Sequence, residues 1–320
     1  MELWHCNGDA ARGGVHTIDT GFGRPGLVAA YLMESAGRAA FIDVGPASTL
    51  PRLLEALEAR GLGPEAVDWV VLTHVHLDHA GAAGALMALL PRARLLVHPR
   101  GARHLIDPSR LIAGAAAVYG EEALRRRFGE ILPVPAERVV EAPEGTRIDL
   151  GGRVLRVLDT PGHARHHLCL HDPAGSGVFT GDTFGLCYPE LDAPEAPFLL
   201  PTTTPVQFDP VALHASMDRI AALGAGRAWL THFGCLAEPA RHVHQLHEAV
   251  DAMVAMARGC ARETPGERRA AAIRARLADW VLERLGGRID RDRMEALLGM
   301  DLTLNAQGLE VWLQRRGEKR

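Results

Sequence analysis

Between positions 73 and 81 the chain reads Thr73-His74-Val75-His76-Leu77-Asp78-His79-Ala80-Gly81, which places three imidazoles and a carboxylate within six residues. Few features restrict a chain so tightly. Brought together without a partner, such groups leave polar atoms unpaired or charges repelling one another. A bound cation removes both penalties. The preceding run, Asp68 to Thr73, is short, apolar and β-branched, the pattern of a strand buried on both faces. In extended chain residues i and i+2 point the same way, roughly 6.5–7 Å apart at the backbone. His74 and His76 can therefore converge on one ion, at about 2.0–2.1 Å per bond. Asp78 and His79 follow where the chain turns into a helix expected over Ala80 to Leu90, so they can face a second ion beside the first. Gly81 lets the backbone make that turn closely.

Three further positions supply donors of the same kind. Asp159-Thr160-Pro161-Gly162-His163 sets a histidine on a tight Pro-Gly turn after a strand. Phe179-Thr180-Gly181-Asp182 ends a strand with an acid, and Leu230-Thr231-His232 ends another with a histidine. Strand ends are where open sheets present functional groups. Taken singly, His232 reads as a packing or surface residue and Asp182 as a turn residue. Beside the central cluster they complete a set of metal ligands.

These elements, T-H-V-H-L-D-H-A-G, T-P-G-H, T-G-D and T-H-F-G, in this order over about residues 15 to 235, resemble the metallo-β-lactamase-fold superfamily. The resemblance implies an α/β fold, an αβ/βα four-layer sandwich with two metals at one edge between two sheets. It also implies that His74, His76 and His163 hold one ion and Asp78, His79 and His232 the other, with Asp182 bridging both. Every ligand position carries the expected residue type. Two cations about 3.5–4 Å apart lower the pKa of a shared water toward neutral, giving a bridging hydroxide that attacks a carbonyl or phosphorus centre. Asp78 is the expected catalytic residue, orienting that hydroxide and shuttling a proton. A histidine-rich, mixed carboxylate set suits zinc, iron or manganese, and zinc is favoured.

The rest of the chain bounds the substrate and the setting. Its 320 residues, 47% of them hydrophobic, suffice for a large core. The reading is a hydrolase domain over 1–262 and a small helical appendage over 263–320, opened by Pro265-Gly266. The appendage is expected to hold an amphipathic helix to Leu285 and then shorter helices, covering the core or forming a homodimer surface. With 35 basic and 39 acidic residues, the net charge of -4 gives no footprint for nucleic acid or an anionic membrane. The expected partner is thus a small-molecule substrate. The apolar stretches are too short to span a bilayer, and the opening residues lack the pattern of a signal peptide. Five cysteines without a C-x-x-C argue against a disulfide framework and for a reducing cytoplasm.

The Pro-rich apolar segment Phe184 to Phe208 follows Asp182 and is expected to form a pocket wall, with Tyr188 polarising a substrate carbonyl. Lactonases of the superfamily carry a tyrosine three residues after the bridging aspartate, where this chain has Gly185. Of His166 and His167, which face opposite ways in extended chain, His167 is the expected substrate contact. The substrate is then a small ester, lactone, thioester or related compound. The rival is a persulfide-dioxygenase-like non-heme iron enzyme on the same fold, which uses one iron held by two histidines and an aspartate.

Overall fold

The computed structural model describes residues 14–193, 196–203 and 205–317. The opening residues that bear on a signal peptide lie outside the described residues. Twelve strands form two six-stranded sheets. The first runs in chain order through β1 (Val15–Asp19), β2 (Ala29–Ser35), β3 (Arg38–Ile42), β4 (Val67–Val71), β5 (Arg94–Val97) and β6 (Val139–Glu141). The second holds β7 (Arg147–Leu150), β8 (Arg153–Asp159), β9 (Leu168–Asp172), β10 (Gly177–Leu186), β11 (Arg227–His232) and β12 (Gly234–Ala237), also in chain order from one edge to the other. Hairpins make the antiparallel pairs, whereas β3 through β6 pair in parallel, as do β10 and β11, each after a connection carrying helix.

The helices are α1 (Leu50–Ala59), α2 (Leu77–Ala80), α3 (Ala83–Leu89), α4 (Pro99–Ile106), α5 (Ser109–Tyr119), α6 (Glu121–Phe128), α7 (Pro210–Ala221), α8 (Val243–Gly259), α9 (Glu267–Arg284) and α10 (Arg291–Gly317). Three apolar clusters show how the layers stack. Between the sheets, Tyr31, Met33 and Ile42 meet Leu155, Val157, Phe179 and Trp229, and the last two rings stack at 4.6 Å. On the outer face of the first sheet, Leu53 and Leu57 of α1 and Leu86 and Met87 of α3 cover Leu32, Phe41 and Val70. On the outer face of the second, α7, α8, α9 and α10 bury Met217, Val250, Leu277 and Leu298 against Val178 and Leu230. Helix, sheet, sheet, helix is the expected αβ/βα sandwich. The buried strand read at 68–73 is β4, central and parallel on both sides.

Three elements differ from expectation. The helix read over 80–90 is broken into α2 and α3, because the His79 carbonyl accepts from Val44 N–H and Ala82 N–H turns to the Gly45 carbonyl. Those tertiary bonds replace helical ones. β10 runs past Thr180 to Leu186, with register shifts around Gly181. Asp182 thus sits inside a bulged strand, a device that re-aims a side chain. The shorter helices of the tail are one 27-residue helix, α10. Burial of Met294, Leu298, Leu302 and Leu309 outweighs the roughly 1 kcal/mol that a mid-helix glycine such as Gly299 costs. Cys169, Cys187 and Cys260 are free, but Cys235 is disulfide-bonded, against the expectation of reduced thiols. No helix among the described residues is long and apolar enough to cross a membrane.

Candidate metal centre

The centre lies where the two sheets meet at one edge. β4 delivers the chain into Thr73, whose backbone N–H and hydroxyl both reach Asp43, just past the end of β3. His74 and His76 follow in extended chain, and α2 then turns Asp78 and His79 inward. A Cβ at Gly81 would stand 3.1 Å from the Pro46 Cα, so the close turn there favours glycine. The loop after β8 supplies His163, the bulge of β10 supplies Asp182, and the end of β11 supplies His232. The bulge depends on Gly181, which has φ of 49°. A Cβ there would meet the His167 ring at 2.5 Å and the Thr73 hydroxyl at 2.7 Å.

All seven expected ligands come together, in three overlapping groups: His74, His76 and His163; His74, His79 and Asp182; Asp78, His79 and His232. In the first, His76 Nδ1 stands 2.8 Å from His74 Nε2 and 3.1 Å from His163 Nε2. In the last, Asp78 Oδ2 is 3.8 Å from His79 Nε2 and 3.5 Å from His232 Nε2. The Asp182 carboxylate lies between, with Oδ1 3.1 Å from His79 Nε2 and Oδ2 3.5 Å from His163 Nε2.

The donor set can be tested against a cation. Three imidazoles are tied by the nitrogen that faces away from the centre. His79 Nδ1 is 2.8 Å from Asp43 Oδ2, His163 Nδ1 is 2.9 Å from the Thr202 hydroxyl, and His232 Nδ1 is 3.1 Å from the Leu27 carbonyl. Fixing the outer nitrogen turns Nε2 inward as a lone-pair donor, the arrangement around a metal-bound histidine. His79 Nε2 and Asp182 Oδ1 are buried, stand close, and yet make no hydrogen bond among the described residues. Two buried lone pairs aimed at one point, with no proton between them, are what a cation would satisfy. The residues fit divalent metal ions.

Electrostatics agree. Burial, then the neighbouring imidazoles, hold His74 and His76 well below the ordinary histidine range, leaving them neutral for coordination. Burial pulls His232 down too, but Asp182 and Asp78 outweigh it and lift it to about 9. Burial likewise opposes ionisation of Asp78, yet His79 and His232 hold it below the usual carboxylate range. Asp78 and Asp182 are thus the negative charges that act most strongly on His232.

A cavity of about 360 Å³ opens over His76, Asp78, Asp182 and His232. Its walls are largely apolar, from Leu111, Ala115 and Val118 on α5 and Met300 and Leu304 on α10. The two expected substrate contacts lie elsewhere. His167 is fully buried beneath the centre, its Nδ1 against the Thr160 and Thr183 hydroxyls and its Nε2 accepting from the Asp182 N–H. It holds the bulge in place, and His166 is the one that lines the cavity. Alternation was right and the phase was wrong: the side chain that must reach under glycine 181 is the inner one. Tyr188 is fully buried and outside the cavity lining, with its hydroxyl 3.5 Å from Asp301 Oδ1. Sequence reasoning missed Asp43, Thr202 and Asp301, and weighed His166 but preferred His167. Only Asp43, a lone acid at the end of the apolar run F-I-D-V-G, carried a local signal.

Sandwich and histidine–aspartate cluster together define a class, the αβ/βα proteins with metal-ligand clusters at the sheet edge. Residues 23–232 match the metallo-beta-lactamase superfamily, and the chain belongs to it. It is 28% identical over 200 residues to the metallo-beta-lactamase fold-containing protein ST1585 of Sulfurisphaera tokodaii, covering 60% of this chain and 68% of that one. It is 32% identical over 194 residues to a hydroxyacylglutathione hydrolase of Acidiphilium cryptum, covering 61% of this chain. The match takes in 59% of that hydrolase's length, less than two thirds. The metallo-beta-lactamase family protein TTHA1429 of Thermus thermophilus superposes with a TM-score of 0.66 at 21% identity, covering 95% of this chain and 94% of that one, a likeness of fold.

Proposed function

We propose that the chain is a dinuclear metal-dependent hydrolase that cleaves a small ester, lactone or thioester, with zinc at both positions. The observation that carries the reading is the tethering of His79, His163 and His232 by their outer nitrogens, which leaves a ring of inward donors on two sides of Asp182. His74, His76 and His163 would hold one ion, Asp78, His79 and His232 the other, and Asp182 both. No free cysteine is among the grouped donors, which suits zinc held by nitrogen and oxygen. Bound there, two such ions supply Lewis-acid polarisation of a carbonyl and activation of water.

The chain's own residues do the rest. Asp78 is the ligand carboxylate most open to the cavity, its side chain 26% exposed against 5% for Asp182. It can orient the attacking water and take up its proton. His166 stands beside His76, ring centroids 5.7 Å apart, where it can contact the substrate. The apolar walls on α5 and α10 exclude water from the reacting carbonyl. A hydrolase is also what the Acidiphilium cryptum relative is named for. The test is metal analysis with a panel of lactones, thioesters and phosphodiesters. Two ions per chain and metal-dependent hydrolysis of a carboxylic substrate support the reading. One iron per chain with oxygen uptake on a persulfide overturns it.

A further inference from the structure

Asp301 is the acid of α10 that reaches the cavity, alongside Asp78 and Asp182 from the metal centre. Its neighbours on that wall, Met300 and Leu304, are apolar, and the facing helix mixes Leu111, Ala115 and Val118 with Arg110 and Tyr119. Among the described residues, the side chain that reaches its Oδ1 is the Tyr188 hydroxyl, at the long distance of 3.5 Å. Its Oδ2 is buried with no hydrogen-bond partner among the described residues. Arg24 sends its charge but no hydrogen bond among the described residues: its guanidinium lies 4.6 Å over the Tyr188 ring and pairs with Glu190 at 2.8 Å.

The position is held firmly. One turn further along α10, Asn305 accepts from Thr203 N–H at 2.7 Å and donates to the Pro201 carbonyl at 3.0 Å. That segment adjoins Thr202, which tethers His163. The carboxylate is therefore fixed relative to the metal centre, and near enough for the charges of His232, Arg24 and Asp182 to act on it. Burial pushes its carboxyl up to about 6, so near neutral pH it is still an acceptor-only carboxylate. A buried acceptor without a partner, in a largely apolar cavity wall, calls for a donor from the ligand.

We propose that Asp301 is a specificity-determining residue that accepts a hydrogen bond from a hydroxyl on the substrate's acyl group. The inference rests on the hydrolase reading above. A hydroxyl fits better than an ammonium, because the Arg24 guanidinium already sets a positive charge near this carboxylate.

The test compares metal-loaded wild type and Asp301→Leu on matched short thioesters: a plain acyl, its hydroxyacyl counterpart and its aminoacyl counterpart. Wild type is expected to favour the hydroxyacyl over the plain acyl by about 10- to 100-fold in kcat/KM, the span of a hydrogen bond to a charged group. Asp301→Leu brings that ratio near one, and the isosteric Asp301→Asn, which keeps an acceptor oxygen, retains part of it. An equal ratio in wild type and both variants overturns the proposal, as does preference for the aminoacyl substrate. If wild type hydrolyses none of the three, the hydrolase reading is what suffers. Calorimetric binding of the free hydroxy acid against the plain acid, in wild type and Asp301→Asn, then decides Asp301 by the same ratio.

Discussion

Asp43 offers the most detailed prediction, because it touches no cation in the proposed centre and yet organises half of it. Its Oδ1 takes the Thr73 N–H at 2.8 Å, and its Oδ2 faces His79 Nδ1 at 2.8 Å and the Thr231 hydroxyl at 2.8 Å. The side chain is 1% exposed. Asp43→Asn keeps the volume. If its oxygen stays on Thr73 N–H, the amide NH₂ now faces His79 Nδ1. The hydroxyls can rotate to accept from it, but His79 can do so only by moving its proton to Nε2. That tautomer has no lone pair for a metal. Loss of such a supporting group typically costs about 10–100-fold in metal affinity, or about 1.4–2.7 kcal/mol. If the amide turns the other way, the buried Thr73 N–H is stranded, at about 1–3 kcal/mol. Chelator competition reads the first quantity and urea unfolding of the metal-free chain the second. Wild-type metal affinity together with wild-type unfolding would refute the reasoning.

Other consequences follow from the same structure. Asp78→Ala should retain one ion of two and lose nearly all turnover; full activity with both ions retained would remove Asp78 from its role. Leu298→Ala, at a fully buried position on α10, should cost about 2–5 kcal/mol of unfolding free energy in urea. Glu310 accepts from Arg269 Nη2 at 3.0 Å and Gly266 N–H at 2.7 Å; burial opposes its charge, but these partners hold its carboxyl below the usual value of 4.5. A depressed folded pKa means this stabilisation is complete above about 4.5 and fades as pH falls through the lower folded value. Unfolding measured against pH should therefore show Glu310→Gln well below wild type near pH 7, with the gap closing in acid.

The parts of the fold and site that the sequence revealed are those encoded locally. H-x-H-x-D-H is contiguous, so spacing alone brings four donors to one place, and β4 was visible because both its faces are buried. Asp182 and His232 were legible as donors flanked by strand patterns. What stayed hidden depends on distant partners. The break between α2 and α3 is made by Val44 and Gly45, and the unity of α10 by the core it enters. His166 and His167 could not be told apart, because their phase is fixed by the space under Gly181. Asp301 had no signal at all, since only the packing of α10 beside the 201–203 segment brings it to the cavity.

In the proposed centre seven side chains from four stretches of chain surround a pair of cations. Quantifying bound metal in chain stripped with chelator and reloaded with zinc tests it most directly. The account predicts two equivalents per chain, falling to one in His232→Ala. A chain that takes up no transition metal, or whose uptake is unchanged in that variant, would contradict it.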